Sequence, residues 1–303
     1  MDRLAAMSML VTVTEKGSLS AAGRALQVPL ATLSRRINDL ESLLGMRLLI
    51  RTTRKLTLTD AGVAYVAAAR RILEQVEEAE RIASGEFTVP KGQLVLTAPV
   101  MFGRLHVLPV VADFLAAFPG IQIRLLLNDR NVDLIDDHVD MAVRIGRLPD
   151  SGMVATQIGV MRTVTCMSPA LLAGKSAPRV PADLLLFPGV MIEGPLPSPA
   201  WQFRHPRTGV AIHVALQPRL TVTSPEAAGQ AAILGVGVTR LLHYQVAEAI
   251  RCHELKIVLA SHEPERAPVH LVHAARGLMP LKMRHFLDFA APRLRQALRS
   301  MGR

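Results

Sequence analysis

The stretch "VPLATLSRRINDLE", from Val28 to Glu41, predicts a helix with one apolar face and one cationic face. Leu33, Ile37 and Leu40 recur at helical spacing, so this side of the helix is expected to be buried. Charged helix residues usually lie in solvent without binding anything. Only the surrounding sequence can therefore indicate whether the polar face of this helix binds a partner. That face carries Thr32, Ser34, Arg35, Arg36 and Asn38.

The segment before this helix predicts two more helices and a tight turn. In "KGSLSAAGRALQV", Gly17 is expected to end the first helix, and Ser18 or Ser20 to cap the second. Pro29 suits the first turn of the third helix, which leaves only a short break between the second and third helices. Two helices joined in this way form a helix-turn-helix. The apolar stripe expected for the first helix consists of Leu4, Met7 and Val11.

The residues after the third helix predict a β-hairpin with a basic tip. Gly45 is expected to end the helix, and "RLLIRTTRKLTLT" has two β-prone segments around Arg51–Lys55. A helix fits the major groove of B-DNA, where arginine can form two hydrogen bonds with guanine. A basic wing suits phosphate or minor-groove contacts, in which charge matters more than base sequence. The residues predicted to contact DNA are Thr32, Ser34, Arg35, Arg36, Asn38, Arg51, Arg54 and Lys55.

A long amphipathic helix is predicted next, with Thr59 as its cap and Asp60 near its positive end. Its apolar residues follow a three-four repeat that Glu80 interrupts, and such a seam suits the pairing of two helices. The helix either packs on its own domain or pairs with a second copy of the chain. We favour a dimer helix, because a small three-helix domain has little surface left to bury the seam. The seam consists of Val66, Ala69, Leu73, Val76 and Ala83.

A linker over residues 85–92, within "SGEFTVPKG", precedes a region of alternating strands and helices. Strands are predicted in "GQLVLTA", "IQIRLLL" and "DMAVRIG", a helix in "FGRLHVLPVVADFLAAF" and a short helix in "VDLIDDHV". The pattern continues through "SPEAAGQAAILG" and "VGVTRL" to a final helix in "LKMRHFLDFAAPRLRQALRSM". Alternation of this kind predicts a mostly parallel sheet with helices on its faces.

The bulk composition is that of a globular protein with a polyanionic partner. The chain has 303 residues, which suggests two or three domains, and half of them are hydrophobic. A formal net charge of +10 favours a partner such as nucleic acid. Cys166 and Cys252 are expected to be reduced, which fits a cytosolic compartment. Neither a signal peptide nor an apolar run of the roughly 20 residues that span a membrane is expected.

No motif supports catalysis or metal binding. "LGVGV" at Leu234–Val238 lacks the third glycine and the downstream acid of a nucleotide loop, so Gly235 is expected to end a helix and Gly237 to allow close packing. The histidines near Cys252 lack zinc-site spacing, and no GxSxG, HExxH or P-loop motif occurs. We therefore expect no enzyme, no metal and no cofactor. The alternative is a solute-binding or enzymatic α/β protein with an attached basic helical domain.

The stretch "LSAAGRALQVPLATLSRRINDLESLLGMRLLIRTTRKLTLTDAG" closely resembles the winged helix-turn-helix of LysR-type transcriptional regulators. "FGRLHVLPVVADFLAAFPGIQIRLLLNDRNVDLIDDHVDMAVRIG" is similar to the effector domain of that family, so the likeness spans nearly the whole chain. The resemblance implies the fold class α/β with an N-terminal, all-α-rich winged helix-turn-helix. It implies a C-terminal, two-subdomain effector domain like a type 2 periplasmic binding protein. A sequence-specific transcriptional regulator of this type is expected to be a cytoplasmic homodimer or homotetramer that binds promoter DNA, a small-molecule effector and RNA polymerase.

The resemblance also implies domain boundaries. A DNA-binding domain is expected over residues 1–59, a linker or dimerisation helix over 60–84, a hinge over 85–92 and an effector domain over 93–303. Subdomain I of the effector domain should comprise about 93–161 and 267–303, and subdomain II about 162–266.

The family motif maps DNA contacts onto particular residues of this chain. Ser34 and Arg35 match positions that the family uses on DNA. Arg51 or Arg54 matches its wing arginine. Leu30 and Ala31, at the start of the third helix, stand where relatives often have Gln and Pro.

The family binds its effector between the subdomains, at loops that follow the carboxyl ends of strands. Pro99 of this chain stands where many relatives have a serine or threonine hydroxyl, whereas Thr97, Thr223 and Ser224 remain possible donors. The candidate effector-binding residues are Thr97, Pro99, Val100, Met101, Phe102, Asn128, Arg130, Ile145, Gly146, Thr223 and Ser224.

Overall fold

The computed structural model describes residues 2–51, 56–83, 90–149, 152–193, 200–275 and 279–301. The chain divides into two units, Met1–Val89 and Pro90–Arg303. Each unit has an apolar core of its own.

Helices and a short hairpin form the N-terminal unit. Gly17 has a φ of 68° after the first helix, and Ser18 Oγ accepts a hydrogen bond from the Ala21 amide at 3.1 Å, which confirms the predicted stop and cap. Pro29 lies one residue earlier than predicted, as the N-cap of the third helix, and Gly45 ends that helix in the left-handed region. The elements are α1 (Arg3–Lys16), α2 (Leu19–Leu26), α3 (Leu30–Leu44), β1 (Leu49–Arg51), β2 (Leu56–Leu58) and α4 (Asp60–Ala83).

The core of the N-terminal unit lies where α1, α2 and α3 meet. Leu33, Ile37 and Leu40 are fully buried, as their spacing predicts. The stripe predicted for α1 is wrong, although both possible stripes have helical spacing. The packing of α1 against α3 and α4 selects the other one. Ala6, Leu10 and Val13 are buried, whereas Leu4 is exposed and Met7 and Val11 are only partly buried.

Helix α4 begins at a capping threonine and packs on α1 along its first half. The Gly62 amide donates to Thr59 Oγ1 at 2.9 Å, which confirms the predicted cap. Val66 belongs to the core of the N-terminal unit, and Arg70 forms a 3.2 Å ion pair with Glu15 of α1. Packing within the N-terminal unit therefore explains the burial of the first half of the predicted seam without a second chain. Of the other seam residues, Ala69 is buried, Leu73 and Val76 are partly buried, and the side chain of Ala83 lies outside the described residues.

Strands and helices alternate along the C-terminal unit. The strands are β3 (Gly92–Ala98), β4 (Ile121–Leu127), β5 (Met141–Ile145), β6 (Met153–Met161), β7 (Thr163–Met167), β8 (Gly189–Ile192), β9 (Trp201–Arg204), β10 (Ala211–Val214), β11 (Pro218–Val222), β12 (Val238–Leu242), β13 (Lys256–Val258) and β14 (Ala267–Ala274). The α-helices are α5 (Val100–Phe102), α6 (Leu108–Ala117), α7 (Pro225–Ile233), α8 (His243–Arg251) and α9 (Leu281–Met301). A π-helical turn, Gly103–Val107, joins α5 to α6, and the 3-10 helices are Pro169–Leu172, Pro181–Leu186 and Ala260–His262.

Two mixed sheets organise the described part of the C-terminal unit. The first sheet has the order β4-β3-β5-β14-β6 and the second β11-β8-β12-β7-β13. Strand β3 pairs parallel with β4 and β5, but β14 pairs antiparallel with β5 and β6. In the second sheet β8 pairs parallel with β11 and β12, but β7 pairs antiparallel with β12 and β13. The prediction of a mostly parallel sheet is therefore wrong.

The chain passes between the two sheets twice. It leaves the first sheet between Met161 and Thr163, and it returns between His262 and Ala267. The second sheet is thus built entirely from residues inserted between β6 and β14 of the first.

The segment "VDLIDDHV", predicted as a short helix, forms only a turn over residues 134–138. Asp133 Oδ1 accepts hydrogen bonds from the Ile135 and Asp136 amides at 2.7 and 3.1 Å. His138 then adopts a left-handed φ of 55°, which stops helical propagation. Asp133 therefore nucleates one turn that the following backbone does not continue.

The helical segment Val100–Ala117 is long and apolar enough to cross a membrane by length and composition, contrary to the expectation from the sequence. Val107, Val110 and Phe114 of this segment are buried in the core of the first sheet. The core helix of a soluble protein passes the same test, so length and composition do not by themselves show a membrane span.

Candidate nucleic-acid interface and interlayer contact

The turn between α2 and α3 depends on a close backbone approach. The Val28 amide donates to the Gly23 carbonyl at 2.9 Å, and Gln27 adopts a left-handed φ of 55°. A Cβ on Gly23 would lie 2.9 Å from the Val28 carbonyl oxygen, so glycine allows the two helices to join this tightly. The turn thus fixes the direction in which α3 leaves the core.

Helix α3 presents its polar face away from the buried stripe. Arg35 and Asn38 are exposed, whereas Thr32, Ser34 and Arg36 are partly buried. The structure therefore brings these predicted DNA-contacting residues onto one helix, and Arg35 lies on the side opposite the buried stripe. Leu30 and Ala31, in the first turn, are exposed as well.

Glu41 joins the end of α3 to the hairpin. Its Oε1 atom accepts hydrogen bonds from the Leu48 and Leu49 amides at 2.7 and 3.0 Å. Bonds from amides to a carboxylate are stronger than neutral ones, so Glu41 fixes the hairpin relative to α3. Sequence reasoning missed this residue, because its partners lie seven and eight positions away and no local motif marks such a pair.

The start of α4 locks against the same hairpin. Thr59 Oγ1 donates to the Arg47 carbonyl at 2.8 Å, and the Thr59 amide donates to the Leu48 carbonyl at 3.0 Å. A Cβ on Gly62 would collide with the Leu48 carbonyl oxygen. These contacts fix helix α4, strand β1 and helix α3 relative to one another, and the three elements are named here the frame. At the wing, Arg51 ends β1 with its side chain outside the described residues, and Arg54 and Lys55 lie outside them altogether.

Polar groups at the end of β3 are already paired within the C-terminal unit. Thr97 is 6% exposed, and its Oγ1 donates to the Leu126 carbonyl at 2.9 Å. The Val100 amide, at the start of α5, donates to Asp129 Oδ1 at 3.0 Å. The Thr97 hydroxyl, predicted as a ligand donor, thus has a structural partner.

An aromatic cluster joins the layers of the two sheets. Phe102 of α5 and His106 of the π-helical turn come from the first layer, and Tyr244 of α8 comes from the second. The Tyr244 ring centroid lies 5.5 Å from that of Phe102 and 5.9 Å from that of His106. Tyr244 is 5% exposed and belongs to the core of the first sheet. A residue of the second layer therefore completes the core of the first.

The Tyr244 hydroxyl is neutral and hydrogen-bonded. Burial raises the pKa of Tyr244 to about 12, and the negative charge of Asp129 acts in the same direction. Gln245 Nε2 donates to Tyr244 Oη at 3.3 Å, and this bond and the nearby Phe102 backbone act on the pKa in the opposite direction. The hydroxyl thus lies near the first turn of a helical segment, whose amides lack intrahelical partners.

Two partly buried histidines, His106 and His243, lie beside these groups. Burial lowers the pKa of His106 and of His243, and the nearby Arg162 lowers that of His243 further. Within the described residues, His106 Nε2 and His243 Nδ1 are buried without a hydrogen-bond partner. In both rings the lowered pKa favours the neutral imidazole, although Glu263 raises the pKa of His243.

Ion pairs join the layers at two more places. Arg104 Nη2 lies 3.9 Å from Glu226 Oε1, and both side chains are largely exposed, so the pair adds little stability. Arg162, between the two sheets, donates to both carboxylate oxygens of Glu263, at 2.9 and 2.6 Å. The group of residues that meets between the layers, named here the interlayer contact, consists of Phe102, Arg104, His106, Glu226 and Tyr244.

The remaining predicted effector-binding residues have mainly local roles. Asn128 Oδ1 accepts from the Arg130 amide at 2.9 Å, and Ser224 Oγ caps α7 by accepting from the Ala227 amide at 3.1 Å. The Gly146 amide donates to a carbonyl of the strand β14 at 2.8 Å. Phe102 alone of the predicted set belongs to the interlayer contact. Pro99 precedes α5, Met101 is buried, Ile145 is partly buried, and Val100, Arg130 and Thr223 are exposed.

The glycine and cysteine predictions are confirmed. Gly235 has a φ of 76° after α7, and a Cβ on Gly237 would collide with the Pro188 carbonyl oxygen. Cys166 and Cys252 are free thiols. In the described ranges, no group of three or more His, Cys, Asp or Glu side chains could hold a metal ion.

Two family models match this chain. Residues 4–63 match the bacterial regulatory helix-turn-helix protein of the lysR family, and residues 88–295 match the LysR substrate binding domain. The chain belongs to the LysR family. LysR-type proteins are transcription regulators and not enzymes, so the predicted function is confirmed and the enzymatic alternative is wrong. They bind DNA and small-molecule effectors and are oligomeric.

Full-length relatives have the same organisation. An HTH-type transcriptional repressor of Pseudomonas aeruginosa is 32% identical over 95% of this chain and 91% of its own length. The structure of the Vibrio cholerae virulence activator AphB is similar with a TM-score of 0.60 at 25% identity, over 95% of this chain and 98% of that one. The LysR-type regulator CrgA of Neisseria meningitidis has a TM-score of 0.60 at 28% identity, over 96% of this chain and 98% of its own. These matches confirm the predicted fold class of a LysR-type regulator.

Proposed function

We propose that this LysR-type regulator binds promoter DNA with α3 in the major groove, and that an effector acts at the interlayer contact. The observation that carries the proposal is the exposure of Arg35 on the side of α3 opposite its buried leucines. An arginine so placed can form two hydrogen bonds with the O6 and N7 atoms of guanine. In a homodimer, two such helices would meet half-sites roughly 34 Å apart.

Phosphate contacts supply the second part of the proposed DNA binding. Arg36 is partly buried beside the groove-facing residues, which suits a phosphate rather than a base. Arg51, Arg54 and Lys55 of the wing add positive charge, and either arginine can contact the backbone. Leu73 and Val76 of α4 are proposed to contribute to pairing of two chains, since they continue the apolar seam beyond Arg70, which pairs with Glu15 of α1.

Binding to the DNA beside the regulator's own gene tests this proposal. We expect the affinity for that fragment to fall about 1,000-fold or more between 50 and 200 mM salt, because phosphate contacts release counterions. The preference over random duplex should persist across that range, because base contacts release none. Fluorescence anisotropy with both duplexes at several salt concentrations measures the two quantities. An equal affinity for both duplexes at every salt concentration would contradict the proposal.

The effector site is proposed to lie between the two sheets of the C-terminal unit, and the two sheets to correspond to subdomains I and II. Support comes from Tyr244, whose buried ring lies 5.5 Å from that of Phe102 across the layers and whose hydroxyl lies near the Phe102 backbone. A ligand with a hydrogen-bond acceptor must displace this hydroxyl to reach the same backbone. Ligand binding would then change the contact between the layers and bias the assembly on DNA. The domain boundaries, a cytoplasmic location and contact with RNA polymerase belong to the same proposal.

The variant Tyr244→Phe should bind effectors more tightly. It keeps the ring in the core but removes the competing hydroxyl, whose hydrogen bonds contribute about 1 kcal/mol. Screening of a metabolite library by thermal shift identifies compounds that stabilise the wild-type protein. Their dissociation constants should fall roughly fivefold for Tyr244→Phe, which corresponds to that free energy. Tyr65→Phe in the N-terminal unit is the matched control and should leave the constants unchanged. Equal constants for all three proteins would place the effector elsewhere.

A further inference from the structure

We infer that Leu30 recognises the 5-methyl group of a thymine in the operator. The inference rests on the proposed placement of α3 in the major groove. It assigns a base contact to an apolar side chain of α3, in addition to the polar contact proposed for Arg35.

The exposure of Leu30 has no structural explanation within its own unit. Leu30 is the first residue of α3 and is 49% exposed, and it is absent from the N-terminal core. Ala31, which follows it, is also exposed. A single exposed leucine on a protein surface is common and needs no function by itself. We assign a function to Leu30 because of its position in the first turn of α3, since the first turn of a recognition helix contacts base edges.

The chemistry of the groove then selects the base. Thymine carries a methyl group on its major-groove edge, which guanine, cytosine and adenine lack. Leucine packed on those polar edges would remove water without replacing its hydrogen bonds, which is unfavourable. Packed on a methyl group, it buries apolar surface on both sides.

Arg35 supplies a second, polar recognition element on the same helix. Leu30 and Arg35 are five residues apart, which is about 7.5 Å along the helix axis and about 140° around it. We therefore expect the thymine and the guanine to belong to different base pairs of one half-site.

Replacement of thymine by deoxyuridine tests the contact, because it removes only the methyl group. The full-length wild-type protein first selects an operator from a random duplex library. Each thymine of the half-site is then replaced in turn, and dissociation constants are measured by fluorescence anisotropy at one salt concentration. At one position per half-site, the replacement should weaken wild-type binding roughly three- to fivefold.

Variants of two exposed leucines on α3, Leu30 and Leu43, test which side chain is responsible for the weaker binding of the uracil operator. Leu30→Ala should bind the thymine and uracil operators equally, and Leu30→Met should retain the difference. Leu43, 51% exposed at the far end of α3, gives the matched control: Leu43→Ala should behave as wild type. Circular dichroism checks that each variant remains folded.

The inference is overturned if wild-type protein senses no thymine methyl group, or if Leu30→Ala loses as much as wild type at every position. In either case binding through Arg35 would still stand. Failure of the wild-type protein to select any sequence would instead overturn the proposed DNA recognition, and the role of Leu30 with it.

Discussion

The variant Arg35→Ala should lose most of its preference for the operator while it keeps much of its affinity for random duplex. Arg35 is exposed opposite the buried stripe of α3, so its removal leaves the core intact. A bidentate arginine–guanine pair contributes about 1–3 kcal/mol of base discrimination, and a dimer makes two. The ratio of operator affinity to random-duplex affinity should therefore fall about 30-fold or more. Competition binding at fixed salt measures this ratio.

The variant Arg35→Lys separates shape from charge at the same position. Lysine keeps the positive charge but lacks the planar fork that forms two parallel hydrogen bonds. The salt dependence of Arg35→Lys should match that of the wild type, while its operator preference falls nearly as far as that of Arg35→Ala. Wild-type preference in both variants would mean that α3 does not read bases through Arg35.

The variant Gly62→Ala should destabilise the N-terminal unit and abolish operator binding. The added Cβ meets the Leu48 carbonyl oxygen, a backbone atom that cannot rotate away. Overpacking of this kind costs about 1–3 kcal/mol, and the higher end is expected because backbone must shift. Alanine gains at most about 1 kcal/mol of helix propensity over glycine, which does not compensate. Hydrogen exchange in α3 and the hairpin, measured by mass spectrometry, should accelerate.

Gly152→Ala is the control for this prediction. Its Cβ would have no atom within 4 Å, and its φ is outside the left-handed region, so the same chemical change should be neutral there. If Gly62→Ala bound the operator and exchanged its amides like Gly152→Ala, the frame formed by α4, β1 and α3 would not be rigid.

Local signals in the sequence predict the helix ends and the recognition helix well. Ser18, Gly17, Gly45 and Thr59 act on residues within one turn of themselves, so their roles follow from propensity and capping alone. The stripe of α3 is also unambiguous, because its opposite face is polar. The stripe of α1 was mispredicted because that helix is apolar on several sides, and only its neighbours decide which side is buried.

Contacts between distant residues could not be predicted in this way. Glu41 reaches the hairpin across a turn, and Tyr244 enters a core whose strand β3 lies more than a hundred residues earlier in the chain. The mixed sheets arise for the same reason, since β14 returns from the far end of the chain to pair between β5 and β6. Hydrophobic periodicity predicts that a strand is buried. It does not predict which strands pair with it, or whether the pairing is parallel or antiparallel.

The position of Tyr244 sets a cost for separating the two layers of the C-terminal unit. Because its ring is buried among core residues of the first sheet, moving the layers apart would expose the apolar surfaces of Tyr244 and Phe102 to water. Any molecule that alters the contact between the layers must therefore offset this hydrophobic cost with interactions of its own.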